Sequence, residues 1–215
     1  MLNIKTFVCN MLQENCHVVS DESGESVVID CGAYFDDERQ AIVDYIRRNQ
    51  LRVVHLLCTH GHFDHCFGND TIWREFGVKP EIAAEDAYLC NIDEQMRDML
   101  GTGYNHESAP ILRFFEKDEV VKFGTHSLQV LPTPGHTPGG VCFYCADEHV
   151  VFTGDTLFCM SVGRTDFDGG SWNQLVSSLR NVLAKLPADT VVYSGHGPKT
   201  SIGAEVRNNP YMGSR

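Results

Sequence analysis

Thr59-His60-Gly61-His62-Phe63-Asp64-His65 constrains this chain more than any other stretch. Three histidines and an aspartate fall within six consecutive positions. They follow Val53-Val54-His55-Leu56-Leu57-Cys58, an apolar run that reads as a buried strand. Packing does not account for so many ligand-type side chains at one strand end. Imidazole and carboxylate together suit zinc, and also iron or manganese. The single residue between His60 and His62 lets both rings converge on one ion. Asp64 and His65 are then free for a second ion, about 3.5–4 Å from the first in sites of this kind. A pair of ions needs further ligands and a bridging carboxylate.

Those ligands lie far along the chain, each in a glycine-flanked loop after a strand. His136 sits in Pro132-Thr133-Pro134-Gly135-His136-Thr137-Pro138-Gly139-Gly140, a loop stiffened by three prolines. Asp155 follows His149–Thr153 and is the candidate bridge; His196 follows Thr190–Tyr193. Asp30 ends another strand and reads as a turn former or a brace for a ligand. His17, His55, His106, His126 and His149 stand alone and read as ordinary core or surface residues.

The strands Ile4–Cys9, Asn15–Ser20 and Ser26–Asp30 read as a meander, with a turn over 21–25. Residues 36–50 read as an amphipathic helix capped by Asp36 or Asp37. A helix over Gly68–Phe76 closes at Gly77, a strand covers 81–83 and a short helix 84–91. Residues 92–118 read as a helix and an excursion loop over one face. Glu119–Phe123, Ser127–Leu131, Val141–Cys145 and His149–Thr153 resume the strand pattern, and Ser171–Leu186 has the spacing of one long helix. Thr190–Tyr193 reads as the last strand. Each half has strands, a helix and a strand ending in a polar loop, so two mixed sheets face to face with helices outside accommodate the pattern. The expected class is α+β, with residues 1–215 as one domain.

Composition narrows the function. The net charge of −12 argues against a nucleic-acid or anionic-membrane partner. No secretory signal and no run of about 20 apolar residues is present, so the cytoplasm is the expected address. In that setting the nine cysteines read as thiols, mostly small buried hydrophobes. Cys142 and Cys145 have the CxxC spacing, but in a strand they face opposite sides.

The motif at 59–65 matches T-H-x-H-x-D-H of the metallo-β-lactamase superfamily. Pro134-Gly135-His136-Thr137-Pro138-Gly139, Gly154-Asp155-Thr156-Leu157-Phe158 and Ser194-Gly195-His196-Gly197 match its later motifs in order. The resemblance implies an αββα sandwich with the metals at one edge. It places His60, His62, His136 and Asp155 on one metal, and Asp64, His65, Asp155 and His196 on the other. Within the superfamily, these motif forms resemble the short bacterial members of the glyoxalase II branch, as do Gln13-Glu14-Asn15-Cys16 and Ile29-Asp30-Cys31-Gly32. That branch hydrolyses S-lactoylglutathione through a hydroxide held between two metal ions, with zinc first among them. Asp64 then has a catalytic role in orienting the hydroxide, besides binding metal, and the partner is a small-molecule thioester. A β-lactamase is disfavoured by the lack of an export signal.

The chain departs from that branch in three places. The C-terminal helical region with which full-length glyoxalase II grips glutathione has no counterpart after His196. The branch's Gly-Lys-Phe-Tyr stretch is replaced by Gly163-Arg164-Thr165-Asp166-Phe167, and the tyrosine after the last histidine by Gly197-Pro198. Arg164 keeps a cation where a substrate carboxylate could sit. The 163–167 run is also similar to that of the persulfide dioxygenases, whose single iron would be held by His60, His136 and Asp155.

Overall fold

The structure, a computed structural model, describes residues 1–101, 103, 104 and 107–212, with the side chains of 98–100 left aside. His106 lies outside the described residues.

Alternating side chains in the N-terminal strands build a sheet with two buried faces. β1 (Asn3–Cys9), β2 (Glu14–Ser20) and β3 (Glu25–Ile29) pair antiparallel in sequence. Helix α1 (Asp36–Arg48) then crosses over, so β4 (Arg52–Leu57) returns parallel to β3. The capping of α1 differs from expectation. Glu38 folds back, and its carboxylate accepts from the backbone amides of Tyr34 and Phe35 at 2.9 and 3.1 Å. Asp36 and Asp37 lie inside the first turn, where they favour the positive end of the helix dipole.

The central motif coils into the short α2 (Phe63–Cys66), and α3 (Asn69–Phe76) ends at Gly77 in the left-handed region, as its sequence predicts. β5 (Pro80–Ile82), a 3-10 segment over Ala84–Cys90, α4 (Ile92–Leu100) and β6 (Arg113–Phe114) complete this half. The stretch 92–118 therefore also returns to extend the sheet, since β6 pairs parallel with β5. A two-residue strand is too short to show a period.

The second sheet has β7 (Val120–Phe123), β8 (His126–Pro132), β9 (Val141–Cys145), β10 (Val150–Gly154), β13 (Val191–Ser194) and β14 (Thr200–Ser201). Its order is β14-β13-β10-β9-β8-β7, against β1-β2-β3-β4-β5-β6 in the first. A small hairpin, β11 (Leu157–Phe158) and β12 (Ser161–Val162), follows β10. Helix α5 spans Trp172–Asn181 and continues only as a 3-10 turn over Leu183–Lys185. It stops short of the expected Leu186 because Pro187 forces that residue extended (ψ 154°). β14 and the helix α6 (Ile202–Asn208) follow the strand expected to be last.

The two sheets face each other. Val19, Val27, Ile29 and Leu57 of one interdigitate with Phe123, Leu128, Val130, Phe143 and Phe152 of the other. Residues one step along the same strands point outward. Val18 and Val28 meet Ile42 and Ile46 of α1, and Cys142 and Val151 meet Leu175 and Leu179 of α5. Cys145 lies in the inter-sheet core and Cys142 in the outer layer, so the CxxC pair is divided between faces. This is an αββα sandwich. No helix among the described residues is long and apolar enough to cross a membrane.

Candidate metal centre

Every loop carrying a ligand-type side chain leaves a strand at the same edge of the sandwich. β4 delivers residues 58–65, β8 leads into the His136 loop, β10 ends beside Asp155 and β13 runs into His196. The seven predicted residues come together there. His60, His62, Asp64, His65 and His136 are each at most 8% exposed.

The contacts divide them into two clusters. The ligand-type atoms of His60, His62 and His136 lie within 4.8 Å of one another, as do those of Asp64, His65 and His196. His62 Nδ1 is 2.9 Å from His136 Nε2. Asp64 Oδ2 is 3.3 Å from His196 Nε2 and 3.8 Å from His65 Nε2. Asp155 faces both clusters: Oδ2 is 3.6 Å from His136 Nε2, while Oδ1 is 3.3 Å from His65 Nε2 and 3.7 Å from His196 Nε2.

The outer nitrogens of four rings are already engaged. His136 Nδ1 bonds the carbonyl of Arg164 at 2.7 Å, and His196 Nδ1 that of Leu12 at 3.0 Å. His65 Nδ1 bonds Asp30 Oδ2 at 3.0 Å. His60 Nδ1 meets Thr59 Oγ1 at 3.0 Å, and that hydroxyl donates to Asp30 Oδ2 at 2.6 Å. Each partner fixes the tautomer that leaves an Nε2 lone pair pointing inward. The inward atoms His60 Nε2, His65 Nε2 and Asp155 Oδ1 are buried without a hydrogen-bond partner. Orphaned polar atoms of this kind are costly unless something occupies the space between them. The residues present therefore fit a pair of divalent cations. Asp30 is the brace foreseen as one of its two roles: it carries Thr59 and His65 and has a left-handed backbone (φ 49°).

The electrostatics differ between the clusters. Burial, together with the neighbouring His65, His62 and His136, pushes His60 well below the usual imidazole range. Burial and then His136 bring His62 to about 4. Both are neutral at pH 7, the form that donates to a metal. On the other side burial also opposes charge, but Asp155 and Asp64 outweigh it and raise His65. Burial opposes ionisation of Asp155, yet His65, His136 and His196 hold its carboxyl below the usual range.

Four further residues support these loops; Asp86 and Asn10 carry no spacing signal, whereas Glu14 and Asn15 fall in the Gln13-Glu14-Asn15-Cys16 run. Asp86, fully buried in the 3-10 segment, accepts from Gly61 N at 3.1 Å, Thr137 Oγ1 at 2.7 Å and Gly139 N at 2.6 Å. It ties the His60–His62 loop to the His136 loop. Asn10 Nδ2 donates to the carbonyls of Gly32 and Asp64, and Asn15 Nδ2 to those of Ser194 and Gly197. Glu14, fully buried, lies 4.0 Å from His65 Nδ1, and burial raises its carboxyl well above the usual range. Glu14 opens β2, within the Gln13-Glu14-Asn15-Cys16 run.

This constellation agrees with the comparisons. The Metallo-beta-lactamase superfamily profile matches residues 9–196. The chain belongs to the metallo-β-lactamase superfamily. Among relatives, it is 33% identical over 215 residues to hydroxyacylglutathione hydrolase GloC of Haemophilus influenzae, covering 100% of both chains. Among solved structures, it is similar to the B3 metallo-β-lactamase BLEG-1, with TM-score 0.90, 31% identity and coverage of 99% and 100%. It is also similar to TTHA1623 in a di-iron-bound form, with TM-score 0.84, 34% identity and coverage of 96% and 99%. Superfamily membership makes the chain a metallo-hydrolase relative and accounts for the His/Asp edge.

Arg164 lies beside this edge. Its guanidinium makes two bonds of 2.6 Å to Asp166 and sits 4.1 Å from the Phe167 ring centroid. A cavity of about 410 Å³ opens next to His62, between Tyr88, Asn91, Glu94 and Gln95 on one side and Phe167 and Asp168 on the other.

Proposed function

We propose that this protein hydrolyses hydroxyacyl thioesters, with S-lactoylglutathione as the reference substrate. The observation that carries the reading is Asp155, whose two oxygens face two separate clusters of inward-pointing donors. His60, His62, His136 and Asp155 would hold one divalent cation, and Asp64, His65, Asp155 and His196 a second, zinc first and iron or manganese next. When bound, such a pair supplies Lewis acidity toward a carbonyl and lowers the pKa of water to about 7.

The chain's own residues do the rest. Asp64, kept ionised against its burial by His65 and His196, orients the attacking water and accepts its proton. Its main-chain carbonyl, held by Asn10 at 2.9 Å, fixes the carboxylate's approach. The cavity beside His62 receives the arm of the substrate. The departing thiolate has a pKa near 8.5, so no strong general acid is required. The GloC likeness supports this substrate class.

Two other readings stand in the same assay. The run at 163–167 favours one iron on His60, His136 and Asp155 acting on a persulfide. The BLEG-1 likeness favours a β-lactam. Elemental analysis by mass spectrometry, hydrolysis of S-lactoylglutathione and of a β-lactam, and oxygen uptake with glutathione persulfide separate them. Two ions per chain with chelator-sensitive thioester turnover is the expected result. Turnover that survives chelation overturns the proposal, as does one iron per chain with persulfide-dependent oxygen uptake.

A further inference from the structure

We infer that the cavity beside His62 selects S-substituted thiols whose arm is uncharged or amine-bearing, and disfavours arms carrying carboxylates such as the two of glutathione. The inference rests on the thioester reading only for the reaction; the recognition belongs to the cavity's walls.

The cavity holds about 410 Å³, enough for the arm of a small thioester. Among its described lining residues are two carboxylates, Glu94 and Asp168, and no lysine or arginine. Neither carboxylate has a lysine or arginine partner among the described residues. Glu94 Oε2 instead accepts from Asn91 Nδ2 at 2.9 Å. The guanidinium groups carried by the same two walls are already committed. Arg97 of α4 bonds Asp93 at 2.9 Å, and Arg164 bonds Asp166 through two contacts of 2.6 Å. Arg164 also spends one face of Phe167 on itself. The cation expected to receive a substrate carboxylate is thus neutralised within its own loop.

The remaining chemistry favours the opposite charge. Tyr88 and Phe167 present aromatic surface, which attracts cations through the ring quadrupole. The Tyr88 hydroxyl donates to the Asp168 carbonyl at 3.4 Å, so the two walls meet over the cavity. A carboxylate entering between them is desolvated beside like charges and gains no donor of opposite sign. An ammonium or amide there gains carboxylate acceptors and an aromatic face.

Calorimetric binding to zinc-loaded protein tests this with two probes, S-methylglutathione and its diamide, in which both carboxylates are carboxamides and the ammonium is kept. The diamide is expected to bind about tenfold more tightly at low ionic strength, and the gap is expected to narrow in about 0.5 M salt. In the double variant E94Q/D168N, both changes at exposed residues, the gap is expected to fall below about threefold. Equal or tighter binding of the carboxylate form, no binding of either probe, or a gap left intact by the double variant overturns the inference. S-lactoylglutathione and its diamide are assayed in parallel. Absence of turnover with the binding gap present overturns the thioester reading and supports the cavity's preference.

Discussion

Asp86 shows how much a single residue can hold. Its carboxylate takes three donors from two loops that are 76 residues apart at Gly61 and Thr137, counting from one position to the other. Asp86→Asn puts an NH2 group against those donors. Leaving a buried donor unpaired costs about 1–3 kcal/mol. We expect D86N to lose about 2 kcal/mol of stability in urea unfolding. It is also expected to release zinc to a chelator faster than wild type, with the His60/His62/His136 ion leaving first. Unchanged zinc release at reduced stability would reduce Asp86 to a packing role. Nothing in the sequence marks this aspartate, which sits beside Glu85 in a stretch of Ala83, Ala84, Ala87, Tyr88 and Leu89. Its importance comes from burial, and burial is a tertiary property. Asp30 was more legible, because a strand ending in aspartate beside other ligand-bearing strand ends suggests a brace.

At the scale of elements, regular pattern determined most of the outcome. Strand alternation assigned Cys142 and Cys145 to different faces, and they lie in different hydrophobic layers. Gly77 closes α3 because a left-handed C-cap suits a residue without Cβ. The misses have local causes. Glu38 outcompetes Asp36 and Asp37 because its longer side chain reaches back to the amides of 34 and 35. β6 and β14, of two residues each, exist only because a neighbouring strand pairs with them. Close approach between loops is likewise invisible in sequence. At Gly195 an added Cβ would strike Asp155 Oδ1 and His65 Cε1. On the proposed two-ion thioesterase reading, Gly195→Ala is therefore expected to hold one divalent ion per chain instead of two, read by elemental analysis, with thioester turnover falling at least about tenfold, equivalent to about 1.4 kcal/mol of barrier. Two tightly held ions in G195A would show that the His196 loop moves aside.

For the whole molecule, the sandwich is held by its dry centre and by charged clasps at its rim. Phe143 is fully buried between the sheets, so Phe143→Ala is expected to cost about 3–5 kcal/mol, measured as a lower urea midpoint at unchanged slope. One rim clasp is His126, with Nδ1 3.0 Å from Asp21 and Nε2 3.1 Å from Glu148, which also meets the N-terminal ammonium at 3.3 Å. It joins the β2–β3 turn, the start of β8 and the β9–β10 turn. Burial opposes its charge, but Asp21 and Glu148 raise its pKa above the usual imidazole value. A raised folded pKa means stability fully present below the unfolded value of about 6.5 and lost as pH rises through the folded one. His126→Gln is expected to cost about 1 kcal/mol more at pH 6 than at pH 9 in urea unfolding. An equal cost at both pH values would remove the charge from the explanation.

The sequence by itself determined the αββα class, the strand faces and which seven side chains could meet. Hydrophobic period and ligand-bearing strand ends are written in neighbouring residues, so they can be read without coordinates. The tertiary structure decided the rest. It set which nitrogen of four histidine rings points inward, because His65, His136 and His196 are held by a carboxylate or carbonyl from a distant loop, and His60 by the neighbouring Thr59 hydroxyl that Asp30 itself holds. It brought Asp86, Glu14 and Asn10 to the ligand loops, and it turned Arg164 toward Asp166 and Phe167. The character of the substrate cavity follows from that last arrangement. A charge in a sequence has only a sign; the group that neutralises it is known once the chain has folded.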